Sequence, residues 1–233
     1  MMQQQMMQQQ MMQQQMMQQQ GNAQIMAEIK TIPYFPTFLW SRQLNLDLKD
    51  MKKYCLDYQK GATFSVKKSN KGGYQSPLYA DNDVPESMKE LKNYIDQTVN
   101  TITKSMSIPD CYMSSMWFNV NRRNNYNSKH THSTSNFPCT ISGVFYISIP
   151  KPGMGNITFY NDAPPYMKEL HSKSMSIEPK ENALILFPSW LEHSVSQSKS
   201  DEPRISMSFN YLSKTVTPDD KIANLKSGIR RLS

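Results

Sequence analysis

The chain has 233 residues, with Lys+Arg 26 against Asp+Glu 19 and a formal charge of +7. This is enough chain for one domain with a sizeable core that needs neither disulfides nor structural zinc, and the mild positive charge attracts anions without fixing a fold. No run of eighteen apolar residues occurs, which excludes a membrane-spanning helix. The three cysteines (Cys55, Cys111 and Cys139) form no CxxC pair, which argues against a disulfide framework or zinc finger and for a cytoplasmic protein.

Residues 1–22 open with four copies of Met-Met-Gln-Gln-Gln. The five-residue period matches neither the helical nor the coiled-coil repeat, and the stretch lacks the charged and apolar regions of a signal peptide. It is expected to be disordered or artefactual and to stand outside the fold. An apolar, Pro-punctuated segment from Ile25 to Leu39 then reads as an extended entry strand. From Leu44 to Tyr58 the apolar positions fall near i, i+4 and i+7, which predicts an amphipathic helix. A Gly-rich turn follows at 71–77. Pro85 to Met106, with Met88, Leu91, Ile95, Val99 and Ile102 on one stripe, predicts a second helix.

After Pro109 the texture changes to short runs rich in Val, Ile, Phe, Tyr, Thr and Ser, broken by Pro, Gly and Asn. Eight strands are expected: 113–122, 128–133, 140–150, 156–160, 174–178, 183–188, 192–196 and 204–212. Two helices followed by eight strands predict a mainly β fold, a sandwich or jelly roll with the helices packed outside. The organisation expected is a flanking region at 23–110, a β core at 111–213 and a basic tail at 214–233.

Three of the four histidines fall in the strand-rich part. His130 and His132 occupy KHTHS, and residues i and i+2 on one strand share a face. His193 opens the seventh run, FPSWLEHSV, and in a rolled-up sandwich the second and seventh strands are neighbours. Three imidazoles around one point suit iron, zinc, copper or nickel and leave coordination positions open. The competing reading is a solvated HxH pair. His171, between charged residues, is read as a surface histidine.

Arg204-Ile205-Ser206 follows His193 as another i, i+2 pair, and Tyr146 lies in SGVFYISIP after the HxH pair. This order of motifs, with the entry IPYFPTFLW, the loop GGYQSPLY, FPSWLEHSV and RISMSFNYL, resembles the Fe(II)- and 2-oxoglutarate-dependent dioxygenases. It is most similar to their prolyl-hydroxylase-like branch and, within it, to small bacterial and phage-borne oxygenases. The resemblance covers roughly residues 30–213. It implies a double-stranded β-helix (jelly roll, cupin-like) with N-terminal helices outside. It also implies Fe(II) on His130, His132 and His193, with 2-oxoglutarate and O2 as co-substrates. The far carboxylate of 2-oxoglutarate would rest on Arg204, a fork suited to bidentate pairing, with O–H donors from Tyr146 and Ser206 and a contact from Asn119. One departure stands out: His132 occupies the position where the family carries Asp or Glu, and Asp162 is the alternative third ligand.

Readings other than a 2-oxoglutarate-dependent hydroxylase are a cupin-like three-His metalloenzyme and a nucleic-acid-binding β-domain. Arg204 and Ser206 speak against the first. The absence of alternating basic and aromatic residues on the strands speaks against the second. The primary substrate and the oligomeric state are left open by the sequence.

Overall fold

The computed structural model describes residues 6–8, 10–18, 36–133, 139–161 and 173–214. It divides into two units, 1–37 and 38–233. In the first, residues 6–8 and 10–18 are helical, in the repeat expected to carry no ordered structure. Met and Gln are both good helix formers. The methionines there are 58–70 % exposed, so propensity rather than packing accounts for that helix.

The second unit is two antiparallel sheets with helices outside. Eleven strands are described: β1 (Trp40–Gln43), β2 (Asn70–Lys71), β3 (Tyr74–Gln75), β4 (Cys111–Asn121), β5 (Tyr126–His130), β6 (Cys139–Ser148), β7 (Ile157–Tyr160), β8 (Ser174–Ile177), β9 (Ala183–Pro188), β10 (His193–Val195) and β11 (Arg204–Ser213). The larger sheet runs β1-β9-β6-β11-β4-β3 and the smaller β2-β5-β10-β7-β8. The helices are α1 (Lys49–Gly61) and α2 (Lys89–Ser105), the latter preceded by a short 3-10 turn, Glu86–Met88. None of the described helices is long and apolar enough to cross a membrane.

All eight expected strands are present within a few residues. The first helix starts later than expected because Leu44 and Leu46 are tied elsewhere: their amides donate to the backbone oxygen and the side-chain Oδ1 of Asn182. Asp47 then accepts the Lys49 amide at 2.9 Å and starts the helix. The entry strand expected at 25–39 falls mostly outside the described residues. Residues 36–39 are irregular, and the strand that pairs with β9 is the next one, Trp40–Gln43. Of the expected tail only Lys214 is described, paired with Asp110 at 3.6 Å.

The Gly-rich turn holds two short strands that join different sheets, β2 to β5 and β3 to β4. It therefore carries the chain from one sheet to the other at Gly72 and Gly73. Gly72 has φ +77°, and a Cβ on Gly73 would lie 2.1 Å from Asn121 Oδ1, so neither place admits an ordinary side chain.

Alternation along β11 separates two environments. Ile205, Met207, Phe209 and Tyr211 belong to the large apolar cluster with Leu91, Ile95 and Val99 of α2 and Met51 and Cys55 of α1. Arg204, Ser206, Ser208 and Asn210 face the space between the sheets, where they line a cavity of about 420 Å³. A smaller apolar cluster, including Val144, Tyr146, Phe159 and Phe187, fills the rest of that space.

Candidate active site

The smaller sheet supplies two of the histidines and the bend after it the third. His130 ends β5 and His193 opens β10, and the two are cross-strand partners. His132 does not lie on β5, contrary to the expectation that the HxH pair shares a strand. The strand ends at His130, and a bend carries His132, whose amide donates to Ser189 O at 2.9 Å. The three side chains still converge: their donor atoms all lie within 4.8 Å of one another, and His130 Nε2 is 3.2 Å from His132 Nε2.

Each ring is held by its other nitrogen. His130 Nδ1–H donates to Ser128 O at 2.7 Å and His193 Nδ1–H to Leu191 O at 2.9 Å. His132 Nδ1–H donates to Asn210 Oδ1 at 2.7 Å, with Ser142 Oγ at 3.1 Å from the same nitrogen. A carbonyl oxygen can only accept, so all three rings carry the proton on Nδ1 and turn the Nε2 lone pair inward. Imidazoles fixed by an outer acceptor with the second nitrogen bare are what a divalent metal requires. Burial pushes the His132 pKa down to about 4 and that of His193 to about 3, with the neighbouring histidines adding repulsion. Burial also lowers His130. The donor set is therefore neutral near pH 7 and fits a metal. Among the described residues no carboxylate joins it; Asp162, like His171, lies outside them.

The larger sheet supplies the rest. Asn119 of β4, Ser206 of β11 and Tyr146 of β6 are register partners across three adjacent strands, and Arg204 is one pleat from Ser206. Arg204 is 3 % exposed. It has no salt bridge among the described residues, and the two acids nearest in sequence are engaged elsewhere. Asp201 pairs with Arg123 and Glu202 with Lys151. The guanidinium lies 5.5 Å from the Tyr146 ring centre. Arg204 Nε, the Tyr146 hydroxyl and Asn119 Oδ1 are buried without a hydrogen-bond partner. Burial lowers the Arg204 pKa against the ring's opposing effect, and burial raises that of Tyr146. A buried charge with no counter-ion is costly, and a carboxylate entering the cavity would accept from Arg204 Nε and the Tyr146 hydroxyl together. The chain's own residues thus fit the far end of a dicarboxylate.

Sequence reasoning missed the residues around this set. Asn210 fixes His132 and also accepts the Ser142 hydroxyl at 2.7 Å. Its position was legible in principle, since it continues the alternation of Arg204 and Ser206. Ser69 was not: it sits outside the strand-rich region, yet its Oγ lies 3.3 Å from His130 Nε2 and accepts from Asn127 Nδ2 at 3.0 Å. Trp117 is half-buried at the cavity, 5.6 Å from the His132 ring, whereas Trp190 is 54 % exposed and takes no part.

Residues 115–210 match a family described as "Putative 2OG-Fe(II) oxygenase". None of the curated proteins matches the chain by sequence. Three solved structures are similar in fold. A prolyl-4-hydroxylase of Pseudomonas putida has a TM-score of 0.59 at 14 % identity, over 76 % of this chain and 94 % of its own. A viral collagen prolyl hydroxylase of Paramecium Bursaria Chlorella virus-1, solved with 2OG, has 0.53 at 14 %, over 74 % and 94 %. A prolyl hydroxylase of Trichoplax adhaerens, solved with a hypoxia inducible factor peptide, has 0.61 at 12 %, over 79 % and 86 %. The two sheets are those of a double-stranded β-helix, and the matched segment contains the three histidines and Arg204. Over residues 115–210 the chain is thus similar to the 2OG-Fe(II) oxygenases, oxidoreductases that work with Fe(II) and 2-oxoglutarate, and its two-sheet fold is that of the similar prolyl hydroxylases.

Proposed function

We propose that this protein hydroxylates an organic substrate at a C–H bond, using one oxygen atom of O2 for the new hydroxyl. The other oxygen atom goes into succinate as 2-oxoglutarate loses CO2. His130, His132 and His193 hold Fe(II) through Nε2. Arg204 takes the far carboxylate of 2-oxoglutarate, with donors from Tyr146 and Ser206 and a contact from Asn119. The bound metal supplies chelation of the 2-keto acid and activation of O2. The chain's own part is to present three bare nitrogens at one side of the cavity, hold the dianion by its far end on the larger sheet, and keep the space between them largely apolar. Residues 111–213 form the catalytic core and 23–110 flank it. The three cysteines are buried thiols, which suits a reducing cytoplasm.

The observation that carries this reading is the pairing of three inward Nε2 atoms with a buried, uncompensated Arg204 in one cavity. It also separates the reading from a three-His enzyme without a dicarboxylate, which would have no use for that cation. The test is anaerobic titration with Fe(II) and then with 2-oxoglutarate, followed by the visible band of the chelated keto acid. Arg204→Ala is expected to weaken 2-oxoglutarate by about 2–4 kcal/mol while sparing the metal. His132→Ala is expected to weaken the metal at least tenfold. Equal 2-oxoglutarate binding by wild type and Arg204→Ala would refute the anchor.

A further inference from the structure

The charges around the cavity do not balance. Its described lining includes no Asp or Glu, and its charged side chains are Arg204 and Lys68. On the reading proposed above, a divalent metal and Arg204 bring three positive charges to the inner end, and 2-oxoglutarate brings two negative ones. One positive charge remains, because His132 stands where an acidic ligand would have cancelled it. Uncompensated charge in a site of low dielectric attracts an opposite charge strongly.

Lys68 adds a second cation at the opening. It is exposed and makes no ion pair among the described residues. It adjoins Ser69, whose hydroxyl touches His130, so it stands on the side of the cavity where the histidines meet. The same lining includes apolar side chains: Val66 is half-buried, and Leu78 is 59 % exposed. Lining the cavity while exposed, Leu78 is available to the apolar part of a molecule that enters it. The volume of about 420 Å³ is that of a small-molecule site.

We propose that the primary substrate is a small organic acid. Its carboxylate is taken by Lys68 at the cavity opening, and its apolar body rests on Val66 and Leu78 with the reacting carbon over the three histidines. This deepens the function proposed above and rests on it. Lys68 sets which substrates enter; Arg204, at the buried end, is left to 2-oxoglutarate.

The test uses the full chain loaded with Ni(II) and saturating 2-oxoglutarate, so that nothing turns over and the inner anchor is filled. Three panels matched in size are screened by thermal shift and then by calorimetry: aliphatic and aromatic monocarboxylates, the corresponding primary amides, and the corresponding amines. Binders are expected among the carboxylates. Lys68→Ala is expected to weaken the best of them at least tenfold, and Lys68→Glu to abolish its binding and move the preference towards the amines. The 2-oxoglutarate Kd should stay within twofold in both variants. Because Lys68 is exposed, the unliganded variants should melt with wild type. The proposal is overturned if amides or amines bind as well as carboxylates, if no carboxylate binds, or if Lys68→Glu leaves the best carboxylate unaffected. It is also overturned if the Lys68 variants lose 2-oxoglutarate, which would make Lys68 part of the inner anchor. Failure of wild type to bind 2-oxoglutarate at all refutes the function itself and this inference with it, whereas binding without charge discrimination removes only the substrate class.

Discussion

The three histidines look equivalent at the metal side and differ behind it. His130 and His193 are each anchored on the carbonyl two residues before them, a backbone atom that no substitution removes. His132 is anchored on a side chain, Asn210, whose orientation is supported by Ser142 and by its own amide 3.4 Å from Ser115 Oγ. Among the described residues, His132 is thus the one of the three proposed ligands whose Nδ1 acceptor can be removed by mutation elsewhere. Asn210→Ala is expected to lower metal affinity about 10–100-fold, the usual cost of losing such a partner. Asn210→Asp keeps the acceptor and is expected to retain the affinity. Titration of the metal-free protein with Co(II), read by its visible spectrum, checks both. An Ala variant that binds like wild type would show that Ser142 and packing hold the ring without Asn210.

At the scale of elements, β6 packs between its two neighbouring strands with no space at Gly143. Gly143 lies between β9 and β11, and a Cβ there would stand 2.3 Å from the Phe209 ring and 2.7 Å from Ile185 O. Neither neighbour has room to move, since Phe209 is fully buried and the other atom is backbone. Gly143→Ala is expected to destabilise by about 1–3 kcal/mol as overpacking, seen as a lower denaturation midpoint at unchanged slope. The same strands show what the sequence could reveal. β4, β6 and β11 were legible because in each stretch apolar and aromatic residues are interleaved with Ser, Thr, Asn or Gly between breakers. β2 and β3 were not, since a two-residue strand has no period to read, and their sheet partners are fixed by Gly72 and Gly73 turning the chain. The convergence of His130 with His193 followed from strand neighbourhood. His132 reached the same point by a bend that i, i+2 logic does not describe. Ser69 and Lys68 were illegible because they come to the site only through the pairing of β2 with β5.

For the whole molecule, the buried histidines make the fold sensitive to acid. Their folded pKa values lie below the ordinary 6.5, at about 4 for His132 and about 3 for His193, so the unfolded chain binds more protons in that interval. Stability therefore rises with pH there, is fully present above 6.5, and is lost as pH falls from 6.5 towards 3, at about 1.4 kcal/mol per pH unit for each group. Denaturant melts of the metal-free protein between pH 7 and 4 should show this decline, and Phe in place of both His132 and His193 should flatten it. A pH-independent midpoint in the native chain would contradict the burial described.

Two of the proposed metal ligands, His130 and His193, belong to one sheet and the proposed carboxylate anchor, Arg204, to the other. A molecule of 2-oxoglutarate that touches both is a removable rivet through the sandwich, and by mass action it stabilises the folded state in proportion to the logarithm of its concentration. The lifetime of this protein against proteases would then follow the supply of its own co-substrate, so that a cell poor in 2-oxoglutarate holds less of the enzyme as well as running it more slowly.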